Sequence, residues 1–316
     1  MSAEEPAVPD PPKTSAESTF SFAGAIAGFG SGVTKVAVGH GFDTVKTRLQ
    51  CAPLGLYKGP WDCLVKTVRN EGPLALYKGA GPPALGWAFI DSLLIGSLHN
   101  YRLFLMKHGW TEPLPSSTLG ETRLNLSGHA LAGLWAGWTS CIIAMPVDSL
   151  KVKLQLQYAR DPRDWKYKGS IDCMRQILVA QGPLGLYRGF LSMALSRSCF
   201  AAMFCSYEVL LRSFRKLELS DGTSSFLAGG LGSFSYWAFA LPFDSIKNRI
   251  LADDLVKPKF SSSPIEMGRR IYAEGGFLHF YRGFWPVVLR AFPVNASAFL
   301  VFETILRLVG AEKTSK

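Results

Sequence analysis

Asp43 and Lys46, Asp148 and Lys151, and Asp244 and Lys247 each place a carboxylate three residues ahead of an ammonium, at the end of a long apolar run. The stretches are GFDTVKTRLQ (41–50), PVDSLKVKLQ (146–155) and PFDSIKNRIL (242–251). These groups form no nucleophile, acid–base or metal constellation, so the chemistry on offer is ion pairing. Paired within its own helix, each i, i+3 set contributes only about 0.2–0.5 kcal/mol. Three like pairs at equivalent helix ends argue against that local role alone, and an unmatched charge in an apolar setting is costly.

The elements that must carry these pairs are legible as a repeat. A second motif follows each copy at a similar distance and opens the next apolar segment: EGPLALYKG (71–79), QGPLGLYRG (181–189) and GGFLHFYRG (275–283). The unit is apolar helix, charged motif, polar stretch with a short helix, aromatic-basic-Gly, apolar helix, and it recurs three times over roughly 100 residues, longer than solenoid periods. Six spanning helices are expected near 21–50, 81–103, 126–155, 190–212, 224–251 and 284–308. Gly, Ser, Thr and single charges interrupt them, as befits helices that line an aqueous cavity. Gly24, Gly28 and Gly32, and Gly133 and Gly137, are spaced to let helices approach closely. The GFGSG run at 28–32 is discounted as a phosphate-binding loop, because no strand precedes it and it lies inside the first apolar segment.

Composition agrees. The chain of 316 residues is 48% hydrophobic and 18% charged, and its mean hydropathy is +0.14. That is too apolar for a typical soluble domain and too polar for simple lipid-facing spans. The formal charge of +10 is not gathered into basic blocks, and no zinc-finger spacing or aromatic RNA-binding motif is present, so nucleic acid is not an expected partner. The six cysteines form no CxxC and read as reduced, mostly buried thiols. The N-terminal stretch is acidic and rich in Pro and Ser, matching neither a transit nor a signal peptide. A tail at 1–20, repeats at 21–105, 125–213 and 223–309, and a second tail at 310–316 complete the expected organisation.

The triplicated P-x-D-x-x-K-x-R motif with its aromatic-basic-Gly partner resembles the mitochondrial carrier family, from about residue 20 to 308. The resemblance implies an all-α membrane protein: three tandem repeats of two transmembrane helices each, a six-helix pseudo-three-fold bundle with short matrix helices. It also implies a monomer of the mitochondrial inner membrane (the peroxisomal membrane being the alternative) that exchanges small solutes by alternating access, without a cofactor and not as an enzyme. By resemblance, Asp43, Lys46, Asp148, Lys151, Asp244 and Lys247 pair between neighbouring odd-numbered helices to close the matrix side. Gln50 and Gln155 match the family's bracing Gln, whereas Leu251 replaces the third. Pro146 and Pro242 kink their helices, while Gly41 permits a bend without fixing φ. Cytosolic pairing is expected to be weak, since Arg212 and Arg307 stand one position late in YEVLLR and FETILR and the second helix lacks the acid. Cardiolipin is an implied partner at the backbone N–H groups near Gly79, Gly189 and Gly283, where helix N-termini attract phosphate.

Seven residues beyond each Gly of the second motif lie Gly86, Ser196 and Arg290, the expected level of a central ligand. The Gly189–Tyr207 interval is one residue shorter than Gly283–Phe302, so a helix irregularity there could bring Arg197 into the place of Ser196. Arg290, Arg197, Lys35 and Gly86 are therefore candidate substrate contacts, guanidinium being suited to bidentate carboxylate binding. Asp91, deep in the second helix, either accepts a substrate ammonium or neutralises Arg197 or Lys35. His40 reads as a satisfied helix-end residue, and Trp87, Trp135, Trp138 and Trp237 as packing or interface anchors. The subgroup most resembled, through VGHGFDTVKTRLQ and YRGFWPVVLRAFPVNASAFLVFE, is that of carnitine/acylcarnitine and basic amino acid carriers. Ser198 stands where that subgroup has an acid, and Lys35 adds a cation. These departures set di- or tricarboxylates as the expected substrates, ahead of zwitterions such as acylcarnitine or ornithine.

Overall fold

The computed structural model of the chain describes residues 22–113, 122–217, 221–255 and 263–308; the tails expected at 1–20 and 310–316 lie outside them. Long helices α1 (Phe22–Cys51), α4 (Leu126–Gln155) and α8 (Asp221–Ala252) end in the three charged motifs. Each leads to a short helix, α2 (Pro60–Glu71), α5 (Ser170–Gln181) or α9 (Pro264–Gly275). These bury residues one turn apart, Cys63 and Thr67, Cys173 and Ile177, Met267 and Ile271, against the end of the preceding long helix. That i, i+4 pair is the narrow apolar stripe of a surface helix.

A single 3₁₀ turn then carries the Tyr of the second motif, and a glycine with positive φ (Gly79 76°, Gly189 82°, Gly283 95°) swings the chain into the return helix. An L side chain there would be strained, and a Cβ on Gly79 would meet the Lys151 carbonyl oxygen at 3.0 Å. The return helices are α3 (Gly81–Lys107), the pair α6 (Phe190–Ser198) and α7 (Phe200–Lys216), and α10 (Phe284–Leu308). The most extensive packing joins α1 to α10, α3 to α4 and α7 to α8, and contacts of α4 with α7, α1 with α3 and α8 with α10 complete the cycle.

The second return helix is interrupted at Cys199, whose N–H turns back to Ser196 O at 3.2 Å. Ser198 Oγ donates to Ala194 O at 2.8 Å and accepts from Trp138 Nε1 at 2.9 Å, which commits its one proton. Gly137 lets α4 reach this break, since a Cβ there would stand 2.6 Å from the Arg197 carbonyl oxygen. GFGSG at 28–32 is helical throughout.

A small departure from an all-helical fold joins α3 to α4. β1 (Thr111–Pro113) and β2 (Thr122–Leu124) pair antiparallel, with Glu112 opposite Arg123. Their side chains bond across the ladder at 2.8 Å, and Arg212 of α7 holds both Glu112 and the Leu124 carbonyl oxygen. By length and composition alone, Leu126–Gln155 and Pro183–Phe214 are apolar enough to cross a membrane.

Candidate functional site

The three motifs converge. Lys46 Nζ lies 2.7 Å from Asp244 Oδ2, Lys151 Nζ 2.6 Å from Asp43 Oδ2, and Lys247 Nζ 2.6 Å from Asp148 Oδ2. Each long helix thus gives an ammonium to one neighbour and a carboxylate to the other, forming a closed ring of six charges with the i, i+3 contact Lys247–Asp244 inside it at 3.0 Å. The lysine side chains are 6–12% exposed, so the pairs are withdrawn from water and each charge depends on its partner.

The residues around the ring are not three-fold symmetric. Gln50 donates to Asp244 and Ser245 and accepts from Asn248. Gln155 instead reaches Thr44 Oγ1 at 3.1 Å and His40 Nε2 at 3.3 Å; among the described residues it touches no ion of the ring. Leu251 is buried in an apolar cluster with Met145 and Met193. Trp237, read from the sequence as an anchor, lies under the Lys46 ammonium at 4.4 Å. The second basic residue of each motif ties the ring to the layer below. Arg48 forks onto Glu71 and reaches the Gln155 carbonyl oxygen, and Arg249 binds Glu274 and the Gln50 carbonyl oxygen. Lys153, whose repeat has Gln181 near that position, binds the carbonyl oxygens of Leu251 and Asp253, each at 2.9 Å.

Above the ring, on the N-terminal side of the motifs, a cavity of about 180 Å³ is lined by Lys35, His40, Asp43, Trp87, Asp91 and Arg290, among others. Lys35 Nζ lies 3.6 Å from Asp91 Oδ2. Arg290 is in direct contact with Asp43 of the ring, a partner that sequence spacing did not disclose. His40 Nε2 faces the Lys78 carbonyl oxygen at 3.0 Å, and the residue is 1% exposed. The cavity therefore carries two cations and two carboxylates, each facing its opposite. Arg197 and Gly86 are not among its lining residues. The Arg197 guanidinium stands 5.4 Å over the Phe200 ring beside the α6–α7 break. Gly86 sits where α3 meets α4, and a Cβ on it would be 2.7 Å from Val147 Cγ2. The structure thus places Gly86 at a helix contact rather than on the cavity wall.

A larger cavity, about 880 Å³, lies beyond the ring between the C-terminal ends of α1, α4 and α8. Among its lining residues Arg249 pairs with Glu274 and Lys166 with Asp254. At the far end of the bundle Arg212, one position late for a partner on another long helix, binds Glu208 at 2.7 Å in its own helix and Glu112 at 2.6 Å. The side chains of Phe302, Glu303 and Arg307 lie outside the description. No group of three or more metal-ligating side chains comes together among the described residues. Their six cysteines are unpaired, and burial lifts the thiols of Cys63 and Cys173, in the short helices, to about 11 and about 12.

Comparison with known proteins adds to this geometry. The family model described as Mitochondrial carrier protein matches residues 17–109, 122–218 and 220–313. "Mitochondrial substrate carrier family protein L" of Dictyostelium discoideum is 32% identical over 89% of this chain and 94% of its own. "Mitochondrial basic amino acids transporter" is 35% identical in Rattus norvegicus, over 91% of this chain and 90% of its own. The Homo sapiens protein of the same name is 34% identical over 91% of each.

Proposed function

The chain belongs to the mitochondrial carrier family, and we propose that within it this protein exchanges amino acids, basic ones foremost, across the mitochondrial inner membrane by alternating access. Family membership makes it a carrier of small solutes in that membrane. Its substrate is read from the cavity above the ring.

Charge balance carries the reading. The sequence favoured di- or tricarboxylates because Lys35 adds a cation and Ser198 replaces an acid. Lys35 faces Asp91, and Arg290 shares Asp43 with Lys151, so cavity and ring together hold one cation in surplus, enough for one carboxylate and too few for a polyanion. One surplus cation beside an exposed acid matches a molecule that carries both signs. The names of the rat and human relatives, basic amino acids transporters, point the same way. The carboxylate reading gives way to its alternative.

In this reading the six long elements span the membrane, and the ring of Asp43, Lys46, Asp148, Lys151, Asp244 and Lys247 closes the matrix end beneath the loaded cavity. Arg290 couples the two levels, since it lines the cavity and holds a ring carboxylate at once. Substrate that drew Arg290 away would weaken the ring by one partner, a link between binding and opening. Arg197, the other candidate contact, stands at the end of α6 over the Phe200 ring, outside the cavity lining. The chain acts as a monomer, with cardiolipin phosphates at the amides near Gly79, Gly189 and Gly283. Counter-exchange in proteoliposomes tests the substrate. Uptake of arginine, lysine or ornithine against the same solutes inside is expected; exchange of citrate or malate with none of the amino acids would remove the reading.

A further inference from the structure

Within the amino-acid reading, on which this inference rests, the Lys35–Asp91 pair differs in kind from the other ion pairs around the cavity. It joins α1 to α3 at 3.6 Å, with side chains 40% and 38% exposed. Lys46–Asp244 below it is at 2.7 Å and 11% and 8% exposed. Arg290 and Asp43 are 23% and 10% exposed, and Asp43 is also held by Lys151. Among the described residues Lys35 makes no hydrogen bond within ordinary distance. An open pair in a wet cavity is held weakly, yet neither member can be left alone at membrane depth without cost.

We propose that the substrate inserts into this pair, its α-ammonium replacing the Lys35 ammonium on Asp91 and its α-carboxylate replacing Asp91 on Lys35. Lys35 is then a built-in stand-in for the substrate: a primary ammonium on a flexible stem that keeps Asp91 neutralised in the empty carrier. Insertion of the head group exchanges one ion pair for two and adds no net charge; the side-chain cation of a basic amino acid is the one charge brought in. A molecule with only the ammonium would satisfy Asp91 but leave Lys35 unmatched beside a second cation. One with only the carboxylate would strand Asp91. The pair therefore selects the amino-acid head group as a unit and rejects both amines and simple acids, because the rejected ligand leaves a site charge unpartnered.

The experiment follows arginine exchange in proteoliposomes made with the full chain. External competitors are arginine, agmatine (arginine without its carboxylate) and 5-guanidinopentanoate (arginine without its α-ammonium). Wild-type carrier is expected to prefer arginine over either analogue by on the order of tenfold or more. Lys35→Met is expected to bring agmatine toward parity with arginine, and Asp91→Asn to do so for 5-guanidinopentanoate. Analogue-to-arginine ratios that stay at wild-type values in both variants overturn the insertion while leaving the amino-acid reading standing. A wild-type carrier that exchanges no amino acid overturns both. Should a variant not fold, thermal shifts of the wild-type protein in detergent decide: stabilisation by arginine alone is expected, and equal stabilisation by either analogue overturns the proposal.

Discussion

The Tyr187 hydroxyl donates to the Ile142 carbonyl oxygen at 3.0 Å, and Ile142 stands four residues ahead of Pro146 in the same helix. A proline has no N–H, so this carbonyl lacks the donor a helix would supply. Tyr281 does the same for Ala238, four residues ahead of Pro242, at 2.9 Å. Tyr77 reaches Ala37 at 2.8 Å, although Gly41 there retains its N–H. The second motif thus supplies the donor that the first one removes. Replacing Tyr187 or Tyr281 by Phe is expected to cost about 1–3 kcal/mol by leaving a carbonyl without a donor, and Tyr77→Phe distinctly less. Thermal unfolding in detergent measures it; three equal drops would show that the proline has no part in the contact.

The same geometry sets the expectation for Gly41. A proline in a helix interior costs about 3 kcal/mol or more, partly through the orphaned carbonyl. At Gly41 that carbonyl already has Tyr77 as donor, and an added Cβ would come no closer than 3.9 Å to Leu76. Gly41→Pro should therefore insert and exchange within a few-fold of wild type, bending like the other two copies. Abolished exchange by a correctly inserted variant would exclude an equivalent bend in the first copy.

The ring predicts unequal lysines. Asp43 has two cations, Lys151 and Arg290, so Lys151→Ala leaves it matched. Asp148 has Lys247 as its one ion-pair partner among the described residues, and Lys247 also serves Asp244. Lys247→Ala strands Asp148, at a cost of about 3–5 kcal/mol for an unmatched buried charge. Lys247→Ala should lower both the melting temperature and the exchange rate more than Lys151→Ala. Equal losses from the two would mean that Arg290 does not neutralise Asp43.

The ring was legible because its residues recur in phase, and a pattern seen three times fixes which side chains are equivalent. What occurs once was less legible. Sequence spacing locates Arg290 along its helix but not its direction around the axis, so the contact Arg290–Asp43 came only with the packed bundle, whereas Lys35 is one of the two partners the sequence offers Asp91 and is the one found beside it. Gly86 counted as a ligand position for the same reason, since its rank in the helix says nothing of Val147 opposite. The irregularity near Arg197 could be read, because a missing residue alters helical phase. One recurring signal went unread. Thr44, Ser149 and Ser245, each directly after a ring Asp, donate to the carbonyl oxygens of Leu76, Leu186 and Phe280, each directly before a motif Tyr. With the Tyr contacts, two hydrogen bonds pin each charged motif to its own 3₁₀ turn.

Two thiols report on how tightly the short helices seat. Cys63 packs with Val45, Leu49 and Tyr57, and Cys173 with Leu154, Tyr167 and Ile177, both at 0% exposure. Burial raises them from 9.0 to about 11 and about 12, so at pH 8 on the order of one Cys63 in a thousand is thiolate even where reagent could reach it. The folded chain keeps these protons to higher pH than the unfolded chain, so their contribution to stability is complete below about pH 9 and declines as pH rises through about 11–12. Tyr57, Tyr158 and Tyr167 are raised by burial as well and act with the same sign. N-Ethylmaleimide at pH 8 should modify the half-buried Cys199 and Cys205 well before Cys63 or Cys173, as read by mass spectrometry of tryptic peptides. Melting temperatures should hold to about pH 9 and fall above it, and less steeply in Cys63→Ala. Modification of Cys63 at the rate of Cys205 would show that α2 lifts from the end of α1 in the resting carrier.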